Sequence, residues 1–233
     1  LTLQPSEIAK VFIIAFMART LVSMQQVIKE KSTFYKLLAF IIPIFLPIFI
    51  SNYSTASLIL VVCYIMMLYG GVRKKYWFIG LATGFAVVFI FLYICYKHPE
   101  ILPQNEYTRF YTWGNRIDSW LNPSYSELTQ ENISRMAISR GGLFGSGSGN
   151  TIHARLITQA ENDFIFSFII EEYGSLGGLA LFFLYNIFFF RCIRIVISCN
   201  DLFGKLLVAG YGSLIYIQAL LHMSVTVGLI PVT

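Results

Sequence analysis

Apolar residues run along the chain in long blocks, and a single extended polar stretch interrupts them. Six blocks are long and apolar enough to predict membrane-spanning helices, over about residues 7–22, 36–50, 55–71, 76–96, 179–198 and 205–222. The fourth holds 21 residues, a rise of about 31 Å and so the depth of a bilayer core. The first opens through Gln4-Pro5-Ser6-Glu7, with Pro5 suited to a first helical turn and Glu7 to the positive end of the helix dipole. The second contains Pro43 and Pro47. They predict a kink, tolerated in a membrane helix when neighbours satisfy the freed carbonyls.

Between the fourth and fifth blocks, residues 97–162 form 66 mostly polar positions, with no stretch long enough to cross a membrane. This insert mixes the aromatics Phe110, Tyr111, Trp113 and Trp120 with polar groups, a pattern that packs on the spans rather than folding apart. It closes on Glu161-Asn162-Asp163-Phe164-Ile165-Phe166, where a short helix is expected from residue 163 to about 172. That helix is too short and too acidic to span, and Gly174, Gly177 and Gly178 punctuate the chain after it. The pattern predicts an all-α polytopic membrane protein of about six transmembrane helices with one large loop. Residues 1–96 carry four spans, 97–174 the loop and its short helix, and 175–233 two spans, all in one membrane domain.

Composition supports this class. The chain is 56% hydrophobic and 12% charged, with a mean hydropathy of +0.66, whereas a soluble domain carries about 25% charged residues. The net charge of +5 reads as topology. No basic run exceeds Arg73-Lys74-Lys75, too short for a nucleic-acid patch, so no nucleic-acid partner is expected. Basic residues cluster between spans one and two (Lys29, Lys31, Lys36), three and four (Arg73, Lys74, Lys75), and five and six (Arg191, Arg194, Lys205). By parity all three connections lie on one side. The positive-inside rule makes that side cytoplasmic and the large loop extracytoplasmic. In a bacterium this is the inner, cytoplasmic membrane. Cys63, Cys95, Cys192 and Cys199 lie in or beside apolar blocks without CxxC spacing, so neither a disulfide framework nor a zinc site is expected. His98, His153 and His222 have no metal-like spacing and read as packed or interfacial residues. The chain begins and ends inside apolar elements, which reads as part of a longer protein.

Three features are candidates for chemistry. Glu7 and Lys10, three apart on the first helix, are placed to meet. A charge near membrane depth costs about 2.5–3.5 kcal/mol on insertion scales, so it faces a partner or a watery cavity. The pair is either a cap with an interfacial salt bridge or part of a cavity wall that accepts a polar head group. Asp163 is the second. At 100° per residue it shares a side of its helix with Ser167, Ile170 and Gly174, opposite Glu172 and about 80° from Glu171. An Asp at a helix start is ordinarily a cap, but Asn162 can cap equally well and leave Asp163 free to act as a general base. That role requires an alcohol within about 3 Å and exclusion of water, which Phe164, Ile165 and Phe166 can supply. The third is the glycine run from Gly141 to Asn150. It follows no strand and lacks the Gly-Lys-Ser/Thr of a nucleotide loop. It reads as a flexible outer loop, or as exposed amides for a pyrophosphate oxygen.

A set of motifs in order resembles the SEDS family (shape, elongation, division and sporulation) of FtsW and RodA proteins. It comprises Gln4-Pro5-Ser6-Glu7-Ile8-Ala9-Lys10, Asn52-Tyr53-Ser54-Thr55-Ala56, Arg116-Ile117-Asp118-Ser119-Trp120-Leu121-Asn122-Pro123, Gly141-Gly142-Leu143-Phe144-Gly145, Asp163-Phe164-Ile165-Phe166, Glu171-Glu172-Tyr173-Gly174 and Gly228-Leu229-Ile230-Pro231-Val232-Thr233. Departures from the family pattern fall at Asn52-Tyr53, at Ser139-Arg140, where small residues are usual, and at Glu161-Asn162. Asn52–Ala56 and Arg109-Phe110-Tyr111-Thr112-Trp113 are more similar to the FtsW division branch than to RodA.

The resemblance implies a ten-helix glycosyltransferase that polymerises lipid II into peptidoglycan strands. The six spans here would be its fourth to ninth helices. It implies Asp163 as the catalytic loop aspartate, and Glu7 and Lys10 as substrate-binding charges lining the cavity. Lys10, arginines of the loop or a divalent cation would offset charge on the undecaprenyl pyrophosphate leaving group. The implied partners are lipid II, the lipid-linked glycan, a class B penicillin-binding transpeptidase and other division proteins. Two further readings are a lipid II flippase and a non-catalytic scaffold for the transpeptidase.

Overall fold

The structure, a computed structural model, describes residues 5–97, 120, 130–153 and 164–230. Its helices are α1 (Pro5–Ser23), α2 (Lys31–Ser51), α3 (Tyr53–Tyr69), α4 (Lys74–Lys97), α5 (Gln130–Gly141), α6 (Ile165–Ser198) and α7 (Leu202–Thr226), with a 3-10 turn at Gln25–Val27. The all-α class expected from the blocks holds. Among the described residues, three helical segments are long and apolar enough to cross a membrane, Lys31–Phe49, Ile165–Ser198 and Leu202–Thr226. Charges Glu7, Lys10 and Arg19 interrupt α1. Helix α2 runs unbroken through Pro43 and Pro47. The protein is a multi-pass membrane protein.

The chain divides into two compact units, Leu1–Ile94 with Phe188–Ile217, and Cys95–Ile187 with Gln218–Thr233. In the first, α3 packs against both α1 and α2. Met17, Leu21, Leu37, Val62, Met66 and Met67 are fully enclosed there. Polar side chains tie the connections to this core. Gln25 Nε2 donates to the carbonyls of Gly70 (2.9 Å) and Leu21 (3.1 Å), closing the C-terminal ends of α1 and α3. Trp77 Nε1 donates to the Tyr64 carbonyl at 2.6 Å, pinning the start of α4 to α3. Asn52, where the family pattern differs, accepts from Thr55 N and caps α3.

The second unit contains an element absent from the block pattern. Helix α5 lies inside the polar insert, with Ile133, Ala137 and Gly141 buried at four-residue spacing. Ile133 and Ala137 form an apolar cluster with Phe164 and Phe168. Ser134 Oγ donates to the Thr226 carbonyl at 3.2 Å, and Trp120 Nε1 to the Gly228 carbonyl at 3.0 Å. Among the described residues of the insert, Ser134 and Trp120 therefore tie it to the end of a long apolar helix. Phe110, Tyr111 and Trp113 lie outside the described residues.

Candidate functional site

Helix α6 is interrupted at Gly174, where φ is 73° and ψ −178°. It therefore has a short first arm from Ile165 and a long second arm. This matches the expected short acidic helix followed by a span, with the described helix beginning at Ile165. A break of this kind deprives carbonyls before it and amides after it of their partners four residues along the helix. At Gly174 four such groups are the carbonyls of Glu171 and Glu172 and the amides of Ser175 and Leu176. Buried among apolar side chains they would be costly.

The glycine run supplies all four partners. Ser146 N donates to the Glu171 carbonyl (2.8 Å) and Gly147 N to the Glu172 carbonyl (3.1 Å), while Ser175 N donates to the Gly142 carbonyl (2.9 Å) and Leu176 N to that of Leu143 (3.4 Å). Ser146 Oγ adds a second donor to Glu171 O, and Gly149 N donates to Glu172 Oε1. The run is thus a backbone splint laid across the helix break, not a loose outer loop. The amides of Ser146, Gly147 and Gly149 are spent on the protein itself, which removes them as a pyrophosphate cradle.

Glycine is required at two of these positions. Gly174 and Gly145 both have positive φ, and a Cβ on either would collide with the opposing backbone, at Leu143 and Glu172 respectively. Gly145→Ala is expected to lift the splint and speed proteolytic nicking of residues 146–153 by about tenfold or more, since a non-glycine residue held in a sparsely populated backbone region costs about 1–3 kcal/mol. Gly84→Ala, a helical position where an added Cβ meets nothing, should leave the cleavage rate unchanged.

Beneath the splint lies a charged cluster that spacing did not reveal. The Glu171 side chain is fully buried, with 0% of its surface exposed. Its Oε1 accepts from Arg140 Nη1 (2.9 Å), His153 Nδ1 (2.8 Å) and Ile152 N (3.3 Å), while Oε2 is enclosed without a hydrogen-bond partner. Arg140 Nη1 also donates to the Asn150 carbonyl at 3.4 Å. One carboxylate therefore gathers the end of α5 and both ends of the stretch from 140 to 153. His153, expected only to pack, is one of its ligands. Arg140, one of the departures from the family pattern, is another. Among the described residues no three His, Cys, Asp or Glu side chains converge as a metal site would require.

The sequence-predicted pair on α1 does meet. Lys10 Nζ lies 2.7 Å from Glu7 Oε2, with the lysine side chain 4% exposed and the glutamate 51%. An exposed interfacial bridge leaves both ends wet. Here the ammonium is enclosed and the carboxylate reaches solvent. Asp163 lies outside the described residues, as do Glu161 and Asn162. Of the three neighbours expected to exclude water, Phe164 and Phe166 are buried and Ile165 is exposed. Beside this arm opens an apolar cavity of about 320 Å³, lined by Phe166, Ile170, Phe182, Leu220 and Met223 among others.

Known proteins resemble the chain throughout. A family model described as cell cycle protein, covering FtsW, RodA and SpoVE, matches residues 1–233. Stage V sporulation protein E of Bacillus subtilis is 31% identical, over 100% of this chain and 61% of its own length. FtsW of Geobacter metallireducens is 29% identical over 98% of this chain and 59% of its own. The peptidoglycan glycosyltransferase RodA of Mycobacterium tuberculosis is 27% identical over 100% and 50% respectively. The chain spans about three fifths of the first two relatives. A solved chain from a peptidoglycan synthase complex shares the fold, with a TM-score of 0.71 and 20% identity over all of this chain and 62% of that one.

Proposed function

Because this chain belongs to the SEDS family of FtsW, RodA and SpoVE proteins, we propose that the protein of which it forms part polymerises lipid II into peptidoglycan glycan strands. The observation that carries the reading is the family match along residues 1–233, with the motifs that contain Glu7, Lys10 and Asp163 in family order. In the proposed reaction Asp163 takes the proton from the 4-hydroxyl of an incoming lipid II. The hydroxyl oxygen then attacks the anomeric carbon at the end of the growing strand, and undecaprenyl pyrophosphate leaves with the bonding electrons. General-base assistance of this kind contributes about 10²–10⁴ in rate.

Lys10 offsets charge on the leaving group, and Glu7 holds its ammonium in place. The 2.7 Å contact and the enclosure of Lys10 support that division of labour. Buried Phe164 and Phe166 favour a dry approach to the base, and the adjoining apolar cavity suits part of a polyprenyl chain. The large loop is extracytoplasmic in this reading and the membrane is the bacterial inner membrane. The reading of a role in division rests on Asn52–Ala56 and Arg109–Trp113 alone, because FtsW, RodA and SpoVE relatives match at similar identities of 27–31% and do not separate the branches. The partners are a class B penicillin-binding transpeptidase and other division proteins.

The test is strand synthesis from lipid II by the full-length protein, purified with a transpeptidase-inactive partner. Polymer is expected. Lipid II crossing liposomes without polymer would instead support a carrier, and no product with partner binding intact would support a scaffold. In the same assay Glu7→Ala should lower the rate through loss of Lys10 positioning. An unchanged rate would return the pair to a structural salt bridge.

A further inference from the structure

The splint leaves two large side chains uncovered. At its tip Leu143 is 66% exposed and Phe144 81% exposed. Single exposed apolar residues are ordinary on protein surfaces, but these two are adjacent, and no charged residue occurs from 141 to 151. The turn is fixed to a membrane-crossing element. The carbonyls of Gly142 and Leu143 accept from Ser175 and Leu176 at the first turn of the second arm of α6, within the candidate span Ile165–Ser198.

That arm continues the apolar surface. Leu176, Leu179, Phe183 and Ile187 recur at steps of three, four and four, which places them on one stripe of the helix, and each is at least half exposed. On a spanning helix an uncharged, outward stripe of this sort faces lipid. Leu143 and Phe144 extend it at its beginning. Around the two side chains, the amides of Gly145, Ser146, Gly147 and Gly149 and the carbonyls of Gly142 and Leu143 are paired within the protein.

We infer that the Leu143–Phe144 turn is an interfacial membrane anchor, inserting its two side chains into the phospholipid of the leaflet where the second arm of α6 begins. Continuity with the lipid-facing stripe selects lipid as the occupant. Side chains of this kind reach about 5–10 Å into the boundary between head groups and acyl chains. Anchored there, the turn fixes the height of the splint, and of the Glu171 cluster beneath it, relative to the bilayer surface.

Nitroxide accessibility tests it. The full-length protein, with its native cysteines replaced, carries Phe144→Cys, Leu143→Cys or Ser148→Cys labelled with a nitroxide, in vesicles of phosphatidylethanolamine and phosphatidylglycerol. Labels at 143 and 144 are expected to collide several-fold more with oxygen, which partitions into acyl chains, than with a water-soluble nickel chelate. The label at 148 is expected to show the reverse. Chelate access at 143 and 144 equal to that at 148 would overturn the anchor. So would protection from both reagents, which would identify a protein surface, from a partner or from another part of the chain, as the occupant.

Discussion

Glu171→Ala is expected to destabilise the full-length protein by about 3 kcal/mol and to release residues 140–153 from α6. Removing one member of a buried ion pair costs about 3–5 kcal/mol, because the remaining polar groups are left enclosed without a partner. Here the Ile152 amide and the His153 ring lose their acceptor. Arg140, with 34% of its side chain exposed, regains water, which sets the cost at the lower end of the range. Glu171→Gln keeps an acceptor at Oε1 but loses the charge that Arg140 neutralises, and should fall between the native protein and the alanine variant. Glu172→Ala provides the contrast, since the side chain of Glu172 accepts from Gly149 N at an exposed contact. Thermal unfolding of the detergent-solubilised protein reads all three. A midpoint for Glu171→Ala no lower than that for Glu172→Ala would contradict the assignment of Glu171 as the anchor of the splint.

The spanning helices were legible in the sequence because a bilayer demands long apolar blocks, and those blocks survive with ends shifted by a few residues. Helix α2 starts at Lys31 rather than 36 because Lys31, Ser32 and Thr33 form a polar first turn outside the apolar block. The break in α6 was legible too, since Gly174 follows an acidic pair at the edge of an apolar run. Helix α5 was not. Its buried positions include the polar Asn132 and Ser134, which blur the apolar spacing of Ile133 and Ala137, and the apolar cluster it joins arrives from Phe164 and Phe168. The Glu171 cluster was hidden for a related reason. Helical spacing rules reach three or four residues, whereas Arg140 and His153 are 31 and 18 residues from the carboxylate. Its one sequence signal was Arg140 itself, a charge where the family pattern has a small residue. The amides of the glycine run look free in the sequence because the carbonyl that accepts from Ser146, that of Glu171, lies 25 residues further on. Glu7 and Lys10, close in sequence on one helix, were visible from spacing alone.

Asp163→Asn is expected to lower glycan-strand synthesis by at least about 10²-fold, the smaller end of what a positioned base supplies. The amide preserves shape and hydrogen-bonding reach but cannot take the proton of the attacking hydroxyl, so the loss falls on the chemical step. If Asp163 were only a cap, asparagine would serve about as well, because Asn and Asp cap helix N-termini almost equally. The substitution therefore separates base from cap, which Asp163→Ala does not. The deciding measurement is the rate of lipid II polymerisation by the full-length Asp163→Asn protein with a transpeptidase-inactive partner, at native expression and partner binding. Strand synthesis near background is the predicted result, and a rate within a few-fold of the native protein would contradict the assignment of Asp163 as the catalytic base.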